Sequence, residues 1–166
     1  MKKIACLVTS AILFVFISSG QNQSMQLDQI KLLSQFNGNW KGEFANGTMI
    51  VDWQITPIAN NFGSSSYLNL KLNGNTILES WSIIAYDKEI DKIVWVDLLS
   101  DGTVLNNKGK FTEPTVLEMA TYNNKEPQKI IEKFTLNFID KDNIVEIKYD
   151  KNTGVEKVRH TYKRTI

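Results

Sequence analysis

The sequence predicts an all-β fold: a single up-and-down antiparallel barrel of about ten strands behind a short N-terminal helix. Three observations carry that expectation. Between Asn37 and Ile166 the chain divides into about ten short segments, most with apolar residues at every second position, the period of a strand with one buried face. Nearly every junction between them carries a turn signal. Gly38, Asn39 and Trp40 on the first strand suggest that the meander closes into a barrel. A two-sheet sandwich is the alternative that the same alternation permits, but short hairpin connections throughout favour a meander over Greek-key crossings.

Taken in order, Leu27, Ile30, Leu33 and Phe36 recur at every third residue with polar residues between them, which predicts a short amphipathic helix with Ser24 as its cap. The first strand runs from about Asn37 to Ala45. Asn46-Gly47 then makes a hairpin turn, because both central positions of a type I′ turn need positive φ. Met49, Val51, Trp53 and Ile55 share one face of the second strand, which Pro57 ends, and Asn60 to Ser64 is a loop. Leu68, Leu70 and Leu72 alternate with polar residues in the third strand, and Asn73-Gly74 is the next tight turn. In the fourth strand, Asn75 to Tyr86, both faces carry apolar residues, so its facing stays open. The remaining strands are Ile93 to Leu99, Thr103 to Phe111, Thr115 to Tyr122, Gln128 to Ile139, Ile144 to Tyr149 and Val155 to Arg164.

Residues 1–20 read as a secretory signal. Lys2 and Lys3 precede an almost wholly apolar stretch from Ile4 to Ile17, and Ser18 and Gly20 are small residues of the kind a signal peptidase selects. The stretch is shorter than the ~20 residues a membrane-spanning helix requires, so no integral membrane segment is expected once it is removed. The domain expected after it, residues 21–166, would be exported, periplasmic or extracellular. Of 19 basic residues the signal takes two, leaving 17 against 18 acidic ones, a formal charge of −1. That balance argues against nucleic acid as a partner. Cys6 is the sole cysteine and lies in the signal, so stability must come from a packed core.

Val158, His160, Tyr162 and Arg164 share a face of the last strand, and Arg159, Thr161 and Lys163 share the other, which turns His160 into the barrel. An inward imidazole must find Tyr162, a carboxylate, water or a ligand. Among carboxylates near the walls (Glu43, Glu79, Asp97, Glu118 and Glu132), parity allows Glu79, Asp97 and Glu132 to face inward. Two of them beside His160 would give acid–base chemistry of an isomerase or hydrolase. No spacing motif links them, and no catalytic residue is assigned. Asp140 to Asn143 starts like a calcium loop, but Ile144 takes a ligand position and the glycine is missing. One histidine and no cysteine beyond the signal leave no structural zinc site. Trp53, Trp81 and Trp95, with Met119, Phe134, Phe138, His160 and Tyr162, are the expected wall of an apolar cavity. Ten strands enclose more space than the eight whose side chains just fill a barrel.

A helix leading into Gly38-x-Trp40-x-Gly42, an up-and-down meander and Tyr162-x-Arg164 on the last strand resemble the calycin barrels, above all small bacterial lipocalin-like domains of unassigned function. Tyr86-Asp87 and Asp101-Gly102 match their mid-chain outline. The resemblance implies that Trp40 packs against Arg164 at the closed end as a structural pair, with the helix plugging that end. The layout is also similar to the nitrobindins, ten-stranded barrels that hold haem through a histidine on the last strand, which would be His160. Phe44 interrupts their glycine motif here, and no Tyr-Pro follows. The leading expectation is therefore an exported, non-catalytic barrel that binds a small hydrophobic or amphipathic molecule without a cofactor. A haem barrel using His160 comes second, an isomerase or hydrolase third, and a filled barrel acting as an interaction module fourth.

Overall fold

The computed structural model describes residues 27–165; the predicted signal at 1–20, Ser24 and Ile166 lie outside them. A short helix α1 (Gln29–Leu33) continues as a 3-10 turn (Ser34–Phe36). Ten strands follow: β1 (Gly38–Phe44), β2 (Met49–Ile58), β3 (Gly63–Leu72), β4 (Asn75–Asp87), β5 (Lys92–Leu99), β6 (Val104–Glu113), β7 (Val116–Tyr122), β8 (Ile130–Asp140), β9 (Asn143–Tyr149) and β10 (Glu156–Thr165). Each pairs antiparallel with its chain neighbours, and β10 pairs with β1, so the barrel is closed. Closure leaves no sheet edge with unpaired backbone groups.

The connections alternate between two ends. Those after β2, β4, β6 and β8 lie at the end that α1 covers; those after the odd-numbered strands form the opposite rim. Asp28, not Ser24, caps the helix, its side chain accepting from the Lys31 N–H at 3.0 Å. Five helical residues cannot hold themselves together in water. They are docked instead: the buried Gln29 side chain exchanges two hydrogen bonds with the Phe111 backbone, donating from Nε2 at 3.1 Å and accepting at Oε1 at 2.8 Å. Leu33 and Phe36 are fully buried beneath. The Phe36 ring meets Phe138 edge-on at 4.7 Å between centroids and lies within 6.5 Å of Trp53, Trp95 and Phe111. This half of the barrel is filled.

Trp40 and Arg164 are cross-strand partners in the β1–β10 ladder. The guanidinium carbon sits 4.1 Å from the centre of the Trp40 ring system, inside cation–π reach. Arg164 also donates to the carbonyls of Lys141 (2.8 Å), Gln35 (3.1 Å) and Asn37, and the Trp40 indole donates to the Phe36 carbonyl at 2.7 Å. One side chain thus ties β10 to the turn before β9 and to the segment entering β1. Gly38 leaves the space for it: φ is +135°, and a Cβ there would stand 2.2 Å from Arg164 Nη1.

Several local expectations shift. Asn46-Gly47 does form a left-handed turn (φ 56° and 82°) closed by the Thr48 N–H on the Ala45 carbonyl. Ala45 is itself at φ 49°, so the ladder stops at Phe44–Met49 and β1 ends one residue earlier than predicted. Pro57 does not end β2; it pairs with Ser64, and Ser64, expected in a loop, is a buried residue of β3. The facing of β4 is settled by burial: Ser80, Ser82 and Ile84 point in, while Trp81 and Ile83 are about half exposed. Among the described residues no helix is long and apolar enough to cross a membrane.

Candidate ligand-binding cavity

Above the filled half, toward the rim opposite α1, the barrel encloses a partly open cavity of about 270 Å³. Its wall is mostly apolar, with Val51 and Trp53 from β2, Leu68 and Leu70 from β3, Leu78 from β4, and Phe134 and Leu136 from β8. Each stands at an inward position of its strand because strand parity places alternate side chains on one face. Trp53 and Trp95 stack nearly parallel across the β2 to β5 wall, 5.6 Å between centroids and 20° apart, and Tyr162 meets Trp53 edge-on at 5.5 Å. These rings form the boundary between the hollow half and the filled one, since both indoles also touch Phe36.

Two polar clusters interrupt the apolar wall. On β4 to β7, Asp97 Oδ1 accepts from the Trp95 indole at 2.8 Å and from Ser82 Oγ at 2.5 Å. Its Oδ2 accepts from Asn107 Nδ2 at 2.8 Å, and Asn107 Oδ1 accepts in turn from Thr121 at 2.7 Å. Burial pushes the Asp97 carboxyl above its ordinary range, against the opposing pull of those three donors and of the more distant Lys148 charge. On β8 to β10, Glu146 lies opposite His160 in the ladder. Its Oε2 receives Tyr162 Oη at 2.9 Å and meets His160 Nδ1 at 3.2 Å. Lys148 Nζ bridges Glu132 at 3.1 Å and Glu146 at 3.9 Å. Burial would raise Glu146, but the contacts with His160, Lys148 and Tyr162 outweigh it and hold the carboxyl below its usual value. Burial and the neighbouring Glu146 charge push the Tyr162 phenol well up, so it acts as a hydrogen-bond donor.

Of the residues expected on the cavity wall, Trp53, Trp95, Phe134, His160 and Tyr162 line it. Met119 and Phe138 are buried but do not line it; Phe138 belongs to the filled half, against Phe36 and Phe111. Trp81 is a correction: it lies on the outer surface beside Tyr67, 5.3 Å between centroids, and is 48% exposed. Its strand turns outward there because Ser82, one residue on, points in to bond Asp97. Glu79 shares that outer face, where it accepts from the Tyr67 hydroxyl, so it is not an interior group. Asp97 and Glu132 do face the cavity, and Glu43 lies outside, paired with Lys41 at 2.8 Å.

Sequence reasoning missed Glu146 and Lys148. Their strand alternates Val145, Ile147 and Tyr149 with Ile144, Glu146 and Lys148, and hydrophobicity alone points the first set inward. The second set faces the cavity. Pairing outward from Tyr162 would have found it, because Tyr162 opposes Ile144 and His160 opposes Glu146. Phe44, also overlooked, covers the imidazole with its ring, 4.3 Å between centroids. The same ring explains Gly42, where a Cβ would lie 2.5 Å from Phe44 Cζ. Among the described residues no group of three or more histidine, cysteine, aspartate or glutamate side chains is placed to hold a metal ion. Compared with known proteins, the chain matches no family and no curated sequence.

Proposed function

We propose that this is an exported, non-catalytic barrel of the lipocalin-like kind, which binds a small hydrophobic or amphipathic molecule in the half of its interior opposite α1. The observation that carries the reading is the division of one continuous barrel into a filled half and a hollow one. Phe36 and its aromatic neighbours pack the first, while a cavity of about 270 Å³ with a mainly apolar wall and converging polar groups remains in the second. Such a cavity lies just below the roughly 300–1,000 Å³ typical of sites for drug-sized ligands, which favours a small guest.

A nitrobindin-like haem barrel is the second reading, favoured by one observation. Glu146 bonds Nδ1 of His160, the arrangement by which a carboxylate fixes the tautomer of a ligating imidazole and leaves Nε2 free. The surroundings do not fit the group: the Phe44 ring packs on the imidazole, and the cavity is small for a macrocycle.

The test is a titration with N-phenyl-1-naphthylamine, a neutral apolar fluorophore that brightens on leaving water. Saturable one-to-one enhancement, lost when Leu70→Trp fills the cavity, is the expected result. Absence of saturable binding would overturn the proposal. A stoichiometric Soret band with hemin that disappears in His160→Ala would replace it with the haem reading.

A further inference from the structure

We infer that the guest is an amphipathic cation, a protonated amine on an apolar body, whose ammonium sits between Asp97 and Ser80 at the polar side of the cavity. The inference rests on the binding reading above and names the ligand class.

Charge is the first observation. Asp97, Glu132 and Glu146 all face the cavity, and a single ammonium, that of Lys148, answers them. Lys148 is engaged by Glu132 at 3.1 Å and Glu146 at 3.9 Å, which leaves Asp97 with neutral donors only among the described residues. With His160 counted as neutral, the lining carries a formal charge of −2, and with it protonated the sign is unchanged. A carboxylate drawn partly out of water without a counter-ion is costly, and burial accordingly raises the Asp97 carboxyl despite its three hydrogen bonds. A cationic guest removes that cost.

The second observation is independent of charge. Ser80 is 6% exposed, lines the cavity, and its Oγ has no hydrogen-bond partner. It is the next inward residue of β4 before Ser82, which bonds Asp97, so the orphan hydroxyl and the unpaired carboxylate are neighbours on one wall. Buried polar atoms are seldom left unpaired, and such an exception calls for a specific account. An ammonium brings three donors and one positive charge, enough for both groups. A fatty acid would bring a further negative charge to a wall whose only ammonium is already engaged. An alcohol satisfies Ser80 but leaves Asp97 uncompensated. Leu70, Leu78, Leu99 and Leu105 supply the apolar surface for the body of the guest.

The test uses three guests of one shape, octylamine, 1-octanol and octanoate, titrated calorimetrically into the protein at pH 7. The amine should bind about tenfold or more tighter than the alcohol, the difference expected between a charge-assisted and a neutral hydrogen bond, and octanoate should bind weakest. In Asp97→Asn the amine-to-alcohol ratio should fall toward one. Glu132→Gln, a change at the partly exposed rim that removes a cavity charge without touching the hydrogen bonds of Asp97, should lower the ratio by a smaller factor and guards against an Asp97 variant that fails to fold. An alcohol that binds as tightly as the amine, an octanoate that binds tightest, or a ratio unmoved by both variants would overturn the inference while leaving a binding barrel. No binding by any of the three would remove the binding reading as well.

Discussion

Arg164 shows how much one side chain can hold. Its guanidinium serves three carbonyls from two separate segments and lies over Trp40, a combination available to a planar fork but not to an ammonium. Arg164→Lys keeps the charge and loses the geometry, so urea denaturation should show a loss of about 1–3 kcal/mol, the range for hydrogen bonds to charged groups left unmade. Glu146 makes the complementary case through pH. Its folded pKa lies below the unfolded one, so its stabilising contribution is present above the ordinary carboxylate range and fades as pH falls through the depressed folded value. Glu146→Gln should therefore be less stable than the wild type at pH 7, with the gap closing in acid; a gap independent of pH would show that the charge plays no part. Asp97 has the opposite sign: its raised carboxyl favours the fold at low pH and ceases to as pH rises. At this scale the Trp40 and Arg164 pair was legible only through the family resemblance that Gly38-x-Trp40-x-Gly42 and Tyr162-x-Arg164 carry, since the motifs alone do not say that the two side chains meet. Glu146 was not, since nothing near it in sequence marks it as inward.

Helix α1 is an element defined by its docking more than by its own propensity. The spacing of Leu27, Ile30, Leu33 and Phe36 announced it, yet the contact that seats it is polar: Gln29 replaces a missing strand neighbour for the Phe111 backbone. Gln29→Ala would leave a buried N–H and C=O of β6 unpaired, and chemical denaturation should register about 1–3 kcal/mol of lost stability. A change within a few tenths would mean that the helix does not cap the closed end as described. The strands were legible to the extent that one face was plainly apolar. β2 and β8 have such faces, and their inward residues were read correctly from parity. β4 and β9 do not: β4 has isoleucines on its outer face and serines within, and β9 turns its charged set toward the cavity. In both, the interior residues are chosen by cross-strand partners, Ser82 by Asp97 and Glu146 by His160. Such partners are distant in sequence and appear only once register is fixed.

For the whole molecule, ten strands set the circumference, and the helix with its aromatic cluster fills only one end of what they enclose. Turn spacing was enough to predict the count and the meander, because hairpins leave one topology open. It was not enough to say how deep the filling reaches, which depends on the height at which Phe36, Trp53 and Trp95 meet. The four tryptophans now mark four distinct places. Trp40 is sealed at the closed end, Trp53 and Trp95 stand at the cavity floor, and Trp81 is outside the barrel. Each gives one indole N–H resonance, so an interior site is tested by a proton–nitrogen correlation spectrum recorded during titration with octylamine. A guest in the interior cavity requires the Trp53 and Trp95 signals to move together to saturation while those of Trp40 and Trp81 stay in place. Movement of Trp81 with Trp53 and Trp95 unmoved would put the guest on the outer surface and contradict an interior site.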